Sequence, residues 1–130
     1  MIYLYFDGAC KPNPGEMGIG YVLMDEGGNV LEKGKKRLGL GTNNVAEYLA
    51  LLEGLKSAMK YGDRVTIRGD SKLVIEQLRG NYKVKTPHLR ELFEQVLELL
   101  RNFQEVRVEW VDEDENEMAH DLANSCLSEV

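Results

Sequence analysis

Three carboxylates each stand at the edge of an apolar segment, where a buried charge is costly unless it has a function. Asp7 ends the first apolar run, Asp70 ends the segment 65–69, and Glu47 lies early in a helix that opens at residues 42–44. Two strand ends and one helix start can converge on one point of a sheet. Converging carboxylates repel one another unless a hard cation neutralises them, and Mg²⁺ prefers oxygen ligands of this kind. The sequence therefore predicts a divalent-metal site that performs phosphate chemistry.

The elements that must position these acids follow from hydrophobic periodicity and from turn residues. The predicted strands cover residues 2–10, 18–25, 29–38, 64–69 and 105–111, and the predicted helices cover residues 42–60, 71–79 and 87–103 and a last segment from the acidic loop 112–115 to about Val130. A hairpin meander comes first, and βα units then add parallel strands. Right-handed crossovers place helices on both faces of this α/β fold.

The helix boundaries rest on specific residues. The 42–60 segment has an i, i+3, i+4, i+7 spacing of apolar residues, at Val45, Tyr48, Leu49, Leu52, Leu55 and Met59. Gly80 ends the following helix, and Pro87 suits the first turn of the next one. The segment Glu26-Gly27-Gly28 is typical of a hairpin turn between the second and third strands.

Composition limits the class of protein. The 130 residues leave room for one domain, spanning 1–130, and 43% hydrophobic and 29% charged residues are ordinary for a soluble globular protein. No apolar run approaches the ~20 residues of a membrane span, and the first residues lack a basic signal-peptide region. Cys10 and Cys126 have no metal-binding spacing, which favours reduced thiols and a cytoplasmic location. We expect the protein to be a monomer. The net charge of −6 argues against a strong nonspecific nucleic-acid binder.

Four stretches together resemble one known family, ribonuclease H type 1. They are residues 5–10 with 13–15, residues 42–48, residues 69–74, and residues 110–111 with 116–117 and 122–123. The loop at 80–85 is similar to the short form of archaeal and some bacterial members, which lack a basic handle. The resemblance implies a ribonuclease H-like five-stranded mixed sheet, with three antiparallel strands followed by two parallel ones. It also implies endonucleolytic cleavage of the RNA strand of RNA/DNA hybrids, which leaves 5′-phosphate ends.

One position departs from the family pattern. The fourth carboxylate of the family is expected four residues after Asn116 and two before Leu122, where this chain has His120. Asp121 comes one residue later, and one residue along a helix corresponds to about 100° of rotation. A neutral imidazole can ligate a divalent metal through one nitrogen. We therefore expect His120 to be the fourth ligand, with Asp121 as the alternative.

The resemblance also implies the cofactors and their arrangement. Two Mg²⁺ ions are expected, with Mn²⁺ as a substitute or as the preferred ion. Asp7 would be shared by both ions, Asp70 would hold the ion that activates water, and Glu47 would hold the ion at the leaving 3′ oxygen. His120 would assist the ion on the water side.

Small and polar residues beside the acids are the candidates for substrate binding. They are Gly8, Cys10, Asn13, Thr42, Asn43, Asn44, Ser71 and Lys72, with Lys83 and Lys85 as further positive groups. The two adjacent asparagines carry amides suited to base edges and sugars. The resemblance implies contacts with RNA 2′-hydroxyls near Gly8 and Cys10, and the 2′-hydroxyl is what distinguishes RNA from DNA. It also implies a contact between Thr42 and a DNA phosphate.

Other interpretations remain open at this point. Taken singly, Asp7 could be a strand-end turn residue, Glu47 a charge that suits the helix dipole, and Asp70 an N-cap. The whole chain could be a hybrid-binding module that has lost cleavage. A 3′–5′ exonuclease of the same fold is less favoured, because such enzymes place Asp-x-Glu at the end of the first strand, and Asp7 is followed here by Gly8 and Ala9.

Overall fold

The computed structural model describes residues 1–128 and contains one five-stranded mixed sheet. Its strands are β1 (Ile2–Cys10), β2 (Gly15–Met24), β3 (Val30–Gly41), β4 (Arg64–Gly69) and β5 (Glu105–Trp110). The order across the sheet is β3-β2-β1-β4-β5. β1, β2 and β3 pair antiparallel, whereas β4 and β5 run parallel to β1. The predicted fold class is therefore confirmed.

Four helices flank the sheet. They are α1 (Asn43–Ala58), α2 (Lys72–Leu78), α3 (Pro87–Leu100) and α4 (Glu117–Ser128), and a single 3-10 turn, Asp114–Asn116, precedes the last of them. The predicted end of the last helix near Val130 lies outside the described residues. Within the described part of the chain, no helix is long and apolar enough to cross a membrane.

Several predicted boundaries were wrong at their ends. β2 begins at Gly15 and β3 runs to Gly41, because these two glycines pair and extend the hairpin beyond the segments of alternating hydrophobicity. α1 ends before Met59, which is exposed rather than part of the apolar face. Leu51, outside the predicted stripe, is fully buried, since α1 packs against both the sheet and α3.

The main core lies between the sheet and α1. Leu4 and Phe6 project from β1 toward this helix and are fully buried, and each such side chain contributes about 1.5–3 kcal/mol. Tyr48 is also fully buried, and its hydroxyl donates a hydrogen bond to Gln77 Oε1 at 2.6 Å. This contact joins α1 to α2, the two helices that begin beside the acids.

On the side of the sheet opposite α1, α4 packs very closely against β2. A Cβ atom at Gly20 would lie 2.6 Å from the carbonyl oxygen of Ala119, so only glycine permits this approach. Gly20 is also the register partner of Asp7 on β1. The close packing therefore brings α4 beside the carboxylate of Asp7, three residues before the end of β1.

Candidate active site

The three acids predicted from the sequence meet at the edge of the sheet where β1 and β4 end. One ligand atom from each of Asp7, Glu47 and Asp70 lies within 4.8 Å of the others. Asp7 is 4% and Glu47 6% exposed, whereas Asp70 is partly open to solvent. Two of the three charges are therefore removed from water, and the third stands at the mouth of the cluster.

Glu47 reaches the cluster because α1 begins in a fixed place and packs closely on β1. Thr42 is the N-cap of this helix, and its Oγ1 accepts a hydrogen bond from Val45 N at 3.2 Å. Gly8 on β1 has no side chain to obstruct the helix, and its backbone N–H donates to Glu47 Oε1. Gly8, expected to contact substrate, thus also positions a catalytic candidate.

We expect Gly8→Ala to destabilise the protein by about 1–3 kcal/mol and to lower cleavage. The added Cβ would lie 2.3 Å from the backbone carbon of Ala46, so α1 and Glu47 must shift. Urea denaturation and a hybrid-cleavage assay measure the two effects. Gly39→Ala is the matched control, because a Cβ there meets nothing within 4 Å. Equal stability of the two variants would contradict this role of Gly8.

Asp70 follows the last residue of β4 and does not cap α2. The cap is Ser71, whose hydroxyl accepts from Val74 N at 3.3 Å, so the alternative interpretation of Asp70 as an N-cap is wrong. The Trp110 indole N–H donates to the Asp70 carbonyl oxygen at 3.1 Å. This contact, which sequence reasoning missed, holds the end of β4 beside the end of β5.

His120 and Asp121 point in different directions from α4. His120 Nδ1 lies 3.0 Å from Asp7 Oδ2, whereas Asp121 is exposed. The start of this helix is fixed by Asn116, which is 1% exposed and donates through Nδ2 to the Phe6 carbonyl oxygen at 2.9 Å. One turn later, the imidazole is consequently the group that faces the acids.

Burial and mutual repulsion both disfavour ionisation of the cluster. Burial raises the pKa of Asp7 to about 6, and the nearby Asp70 charge adds to this effect, while contacts with Glu47 and His120 oppose it. Burial also raises the pKa of Glu47 well above its usual range, and the Asp7 charge contributes further. A bound cation would relieve both causes, because it favours the charged carboxylates.

The donor atoms at the cluster fit a divalent cation. Glu47 Oε2 is buried and has no hydrogen-bond partner among the described residues, although its other oxygen is bound by Gly8 N–H. A buried carboxylate oxygen without a partner is costly unless an ion coordinates it. Carboxylate oxygens suit Mg²⁺ and Mn²⁺, and an imidazole such as His120 also suits transition metals.

The residues predicted to bind substrate do not all line one cleft. A cleft of about 450 Å³ contains the acids together with Gly8, Cys10, Asn43, Asn44, Ser71 and His120. Four other residues line it that were not predicted as site residues: Ala9, Lys11, Glu113 and Asn124. Asn13 and Thr42 line an adjacent cleft, where Asn13 Oδ1 accepts from Asn43 N at 3.1 Å. Among the residues that the structure describes, Lys72 lines neither cleft, and Lys83 and Lys85 line a third one.

Comparison with known sequences identifies relatives over the whole chain. A family model described as "Reverse transcriptase-like" matches residues 5–126. Ribonuclease HI of Halobacterium salinarum is 39% identical over 99% of this chain and 65% of its own length. Ribonuclease H of Hydrogenovibrio crunogenus is 35% identical over 99% of this chain and 97% of its own. The chain spans only 34% of the length of three mycobacterial relatives.

Solved structures agree with these matches. The crystal structure of RNase H1 from Halobacterium salinarum NRC-1 superposes with a TM-score of 0.96 at 38% identity, covering 99% of this chain and 98% of that one. LC11-RNase H1, crystallised with an RNA/DNA hybrid, gives a TM-score of 0.91 at 36% identity, covering 96% and 95%. On sequence, fold and the acidic cluster together, this chain belongs to the ribonuclease H type 1 family.

Proposed function

We propose that this protein cuts the RNA strand of RNA/DNA hybrids, with Asp7, Glu47, Asp70 and His120 as its catalytic residues. The observation that carries the proposal is the convergence of the three carboxylates within 4.8 Å, two of them buried. Support also comes from the relative that was crystallised with an RNA/DNA hybrid. The products would be RNA fragments with 5′-phosphate ends.

The proposed cofactors are two Mg²⁺ ions, or Mn²⁺ in their place. When bound, such ions supply a Lewis acid that activates water and stabilises charge on the leaving oxygen. Asp7 interacts with the other acids and with His120, so it is the residue best placed to be shared. The Glu47 carboxylate is held by Gly8 N–H and keeps one oxygen for a cation. Asp70 is the most exposed of the three acids, so its carboxylate is the one that solvent water reaches.

Substrate recognition is proposed for the polar groups around this cleft. Asn43 and Asn44 do not cap α1, since Thr42 does, so their side-chain amides are available for base edges and sugars. Cys10 donates its thiol to the Gly41 carbonyl oxygen at 3.2 Å and thereby ties the strand end to β3. The backbone near Cys10 would approach the RNA 2′-hydroxyls, which mark the strand to be cut.

A gel assay tests the proposal. A hybrid labelled on either strand is incubated with Mg²⁺ or Mn²⁺, and internal cuts in the RNA alone are expected. Stepwise shortening from the 3′ end would instead identify an exonuclease. A band shift without cuts would identify a hybrid-binding module and would overturn the proposal.

His120 leads to a prediction about metal preference. Nitrogen ligands suit Mn²⁺ better than Mg²⁺, which prefers oxygen. We therefore expect the ratio of Mn²⁺-supported to Mg²⁺-supported cleavage to fall severalfold in His120→Asp, in which Mg²⁺ activity rises or holds. Initial rates measured with each metal at saturating concentration test this expectation.

Asp121 provides the control for this experiment. Its side chain is exposed, so Asp121→Ala is expected to leave both rates nearly unchanged. The opposite result, an inactive Asp121→Ala and an unaffected His120→Ala, would mean that Asp121 is the fourth ligand.

Further proposals concern the molecule as a whole. We propose that residues 1–130 act as one domain and that the protein binds its hybrid as a monomer. Cys10 and Cys126 are both buried thiols. The cytoplasmic location stays a prediction from the sequence.

A further inference from the structure

The imidazole of His120 lies between two carboxylates that face different ring nitrogens. Nδ1 is 3.0 Å from Asp7 Oδ2, on the side of the acidic cluster. Nε2 is 3.5 Å from Oε1 of Glu113, a residue that lines the same cleft. A neutral imidazole carries one N–H and one lone pair, so its tautomer decides whether the nitrogen that faces the cluster can bind a metal.

The third neighbour of the ring does not decide the tautomer. Asn124 Nδ2 lies 3.4 Å from Nδ1 and 3.3 Å from Nε2 of His120, so it favours neither nitrogen. Its 2.9 Å hydrogen bond goes to the backbone carbonyl oxygen of His120. Asp7 and Glu113 are thus the two groups that distinguish the ring nitrogens, and they favour opposite tautomers.

We infer that Glu113 is a positioning residue: it accepts the Nε2–H of His120 and so directs the Nδ1 lone pair toward the metal site. This inference rests on the proposed function, because it assumes that cations bind at the acidic cluster. A histidine that ligates a metal commonly donates its other N–H to a carboxylate, which fixes the ring and raises its basicity. An aspartate at position 120 would have added a negative charge to the site. The Glu113 carboxylate, hydrogen-bonded to the imidazole, would partly replace that charge.

The backbone holds Glu113 in a suitable place. Asn116 N donates to the Glu113 carbonyl oxygen at 3.1 Å, and the Asn116 side chain is bound to the Phe6 carbonyl oxygen. The turn is therefore anchored one residue before Asp7. The Glu113 carboxylate itself is 71% exposed, and exposed ion pairs are weak, so its effect on metal affinity should be moderate.

The first test measures Mn²⁺ binding to the free full-length protein by titration calorimetry, without substrate. Glu113→Ala is expected to weaken binding about threefold to tenfold, below the usual ~10–100-fold effect of such supporting groups because Glu113 is exposed. Asp114→Ala is the matched control, because it removes another exposed carboxylate at the adjacent position. It should change binding by less than about twofold. Equal losses of Mn²⁺ affinity in the two variants would mean that Glu113 acts only as a nearby negative charge. That result would overturn the inference.

The second test separates the tautomer from charge. In the His120→Asp background, Glu113→Ala should no longer weaken Mn²⁺ binding, because aspartate has no tautomer to fix. Long-range ¹⁵N correlation spectra of the Mg²⁺-loaded protein should show His120 with its proton on Nε2. Glu113→Ala should shift this population toward Nδ1–H, and Glu113→Gln, which keeps an acceptor oxygen, should largely restore it.

Each outcome bears on one conclusion. An unchanged His120 tautomer in Glu113→Ala, or a full loss of Mn²⁺ affinity that persists in the His120→Asp background, overturns the role of Glu113. So does a wild-type protein that binds no Mn²⁺. If the wild type binds Mn²⁺ with the expected tautomer but does not cut hybrids, the proposed function fails and the role of Glu113 stands.

Discussion

Asp70→Asn is expected to abolish hybrid cleavage while it leaves the fold intact. The amide has the same shape but lacks the charge that would help to hold two cations at the cluster. No helix cap is lost, because Ser71 caps α2. We expect the cleavage rate with Mg²⁺ to fall at least about a hundredfold, which corresponds to ~2.7 kcal/mol in the barrier. Single-turnover cleavage and the thermal midpoint of each protein measure the two effects.

Asp121→Asn is the matched control, because it makes the same chemical change at an exposed position on α4. It should retain nearly the full cleavage rate. If Asp70→Asn kept more than about a tenth of the wild-type rate, the loss in the barrier would be under ~1.4 kcal/mol. Replacing a residue that holds the ions should slow cleavage much more than this. The assignment of Asp70 to the metal site would then be wrong.

The second large effect is on the stability of the metal-free protein, which should fall as the pH rises from about 4 to 7. The pKa of Asp7 is raised from 3.8 to about 6 in the folded protein, mainly by burial. The folded state therefore binds this proton more tightly than the unfolded state does. Its stabilising contribution is complete below pH 3.8 and is lost as the pH passes through about 6. The shift corresponds to a loss of about 3 kcal/mol.

Urea denaturation in EDTA between pH 5 and 7.5 measures about half of this loss, ~1.4 kcal/mol, because the rest occurs below pH 5. Glu32, whose pKa is lowered to about 2 by its bonds to Lys60 and Tyr21, titrates below this window and does not interfere. Asp7→Asn should reduce the pH dependence to the part that comes from Glu47, whose pKa is also raised by burial, and should be about 2 kcal/mol more stable than the wild type at pH 7.5 without metal. A wild type that is no less stable at pH 7 than at pH 5 would contradict the raised pKa.

A bound metal ion should restore the stability that the wild type loses at high pH, and it should do so far less in Asp7→Asn. Millimolar Mg²⁺ or Mn²⁺ binds the folded state and should raise the thermal midpoint at pH 7.5. Asp7→Asn should respond much less, because it lacks the carboxylate that contacts the rest of the cluster. If neither protein responded, the free enzyme would bind no ions at this site.

The sequence by itself predicted three antiparallel strands followed by two parallel ones, and it predicted the three acids. Alternation along β1 and the β–α pattern after α1 are local signals, and strands of this type end at a common edge. Asp7 and Asp70 were expected to converge as strand ends, and the parallel pairing of β1 with β4 in the structure brings them to the same edge. The motif around Glu47 placed the third carboxylate, and the spacing from Asn116 predicted that His120 rather than Asp121 would face the acids.

Tertiary structure alone decided how these residues are held. The approach of α1 to Gly8, the bond from Asn116 to the Phe6 carbonyl oxygen and the position of Glu113 beside His120 join parts of the chain that are far apart in sequence. Periodicity reports only which face of an element is apolar, so it cannot say which distant backbone or carboxylate that face will meet. Met59 is exposed because α1 ends before it, and Leu51 is buried because α1 is covered from two directions by sheet and helix.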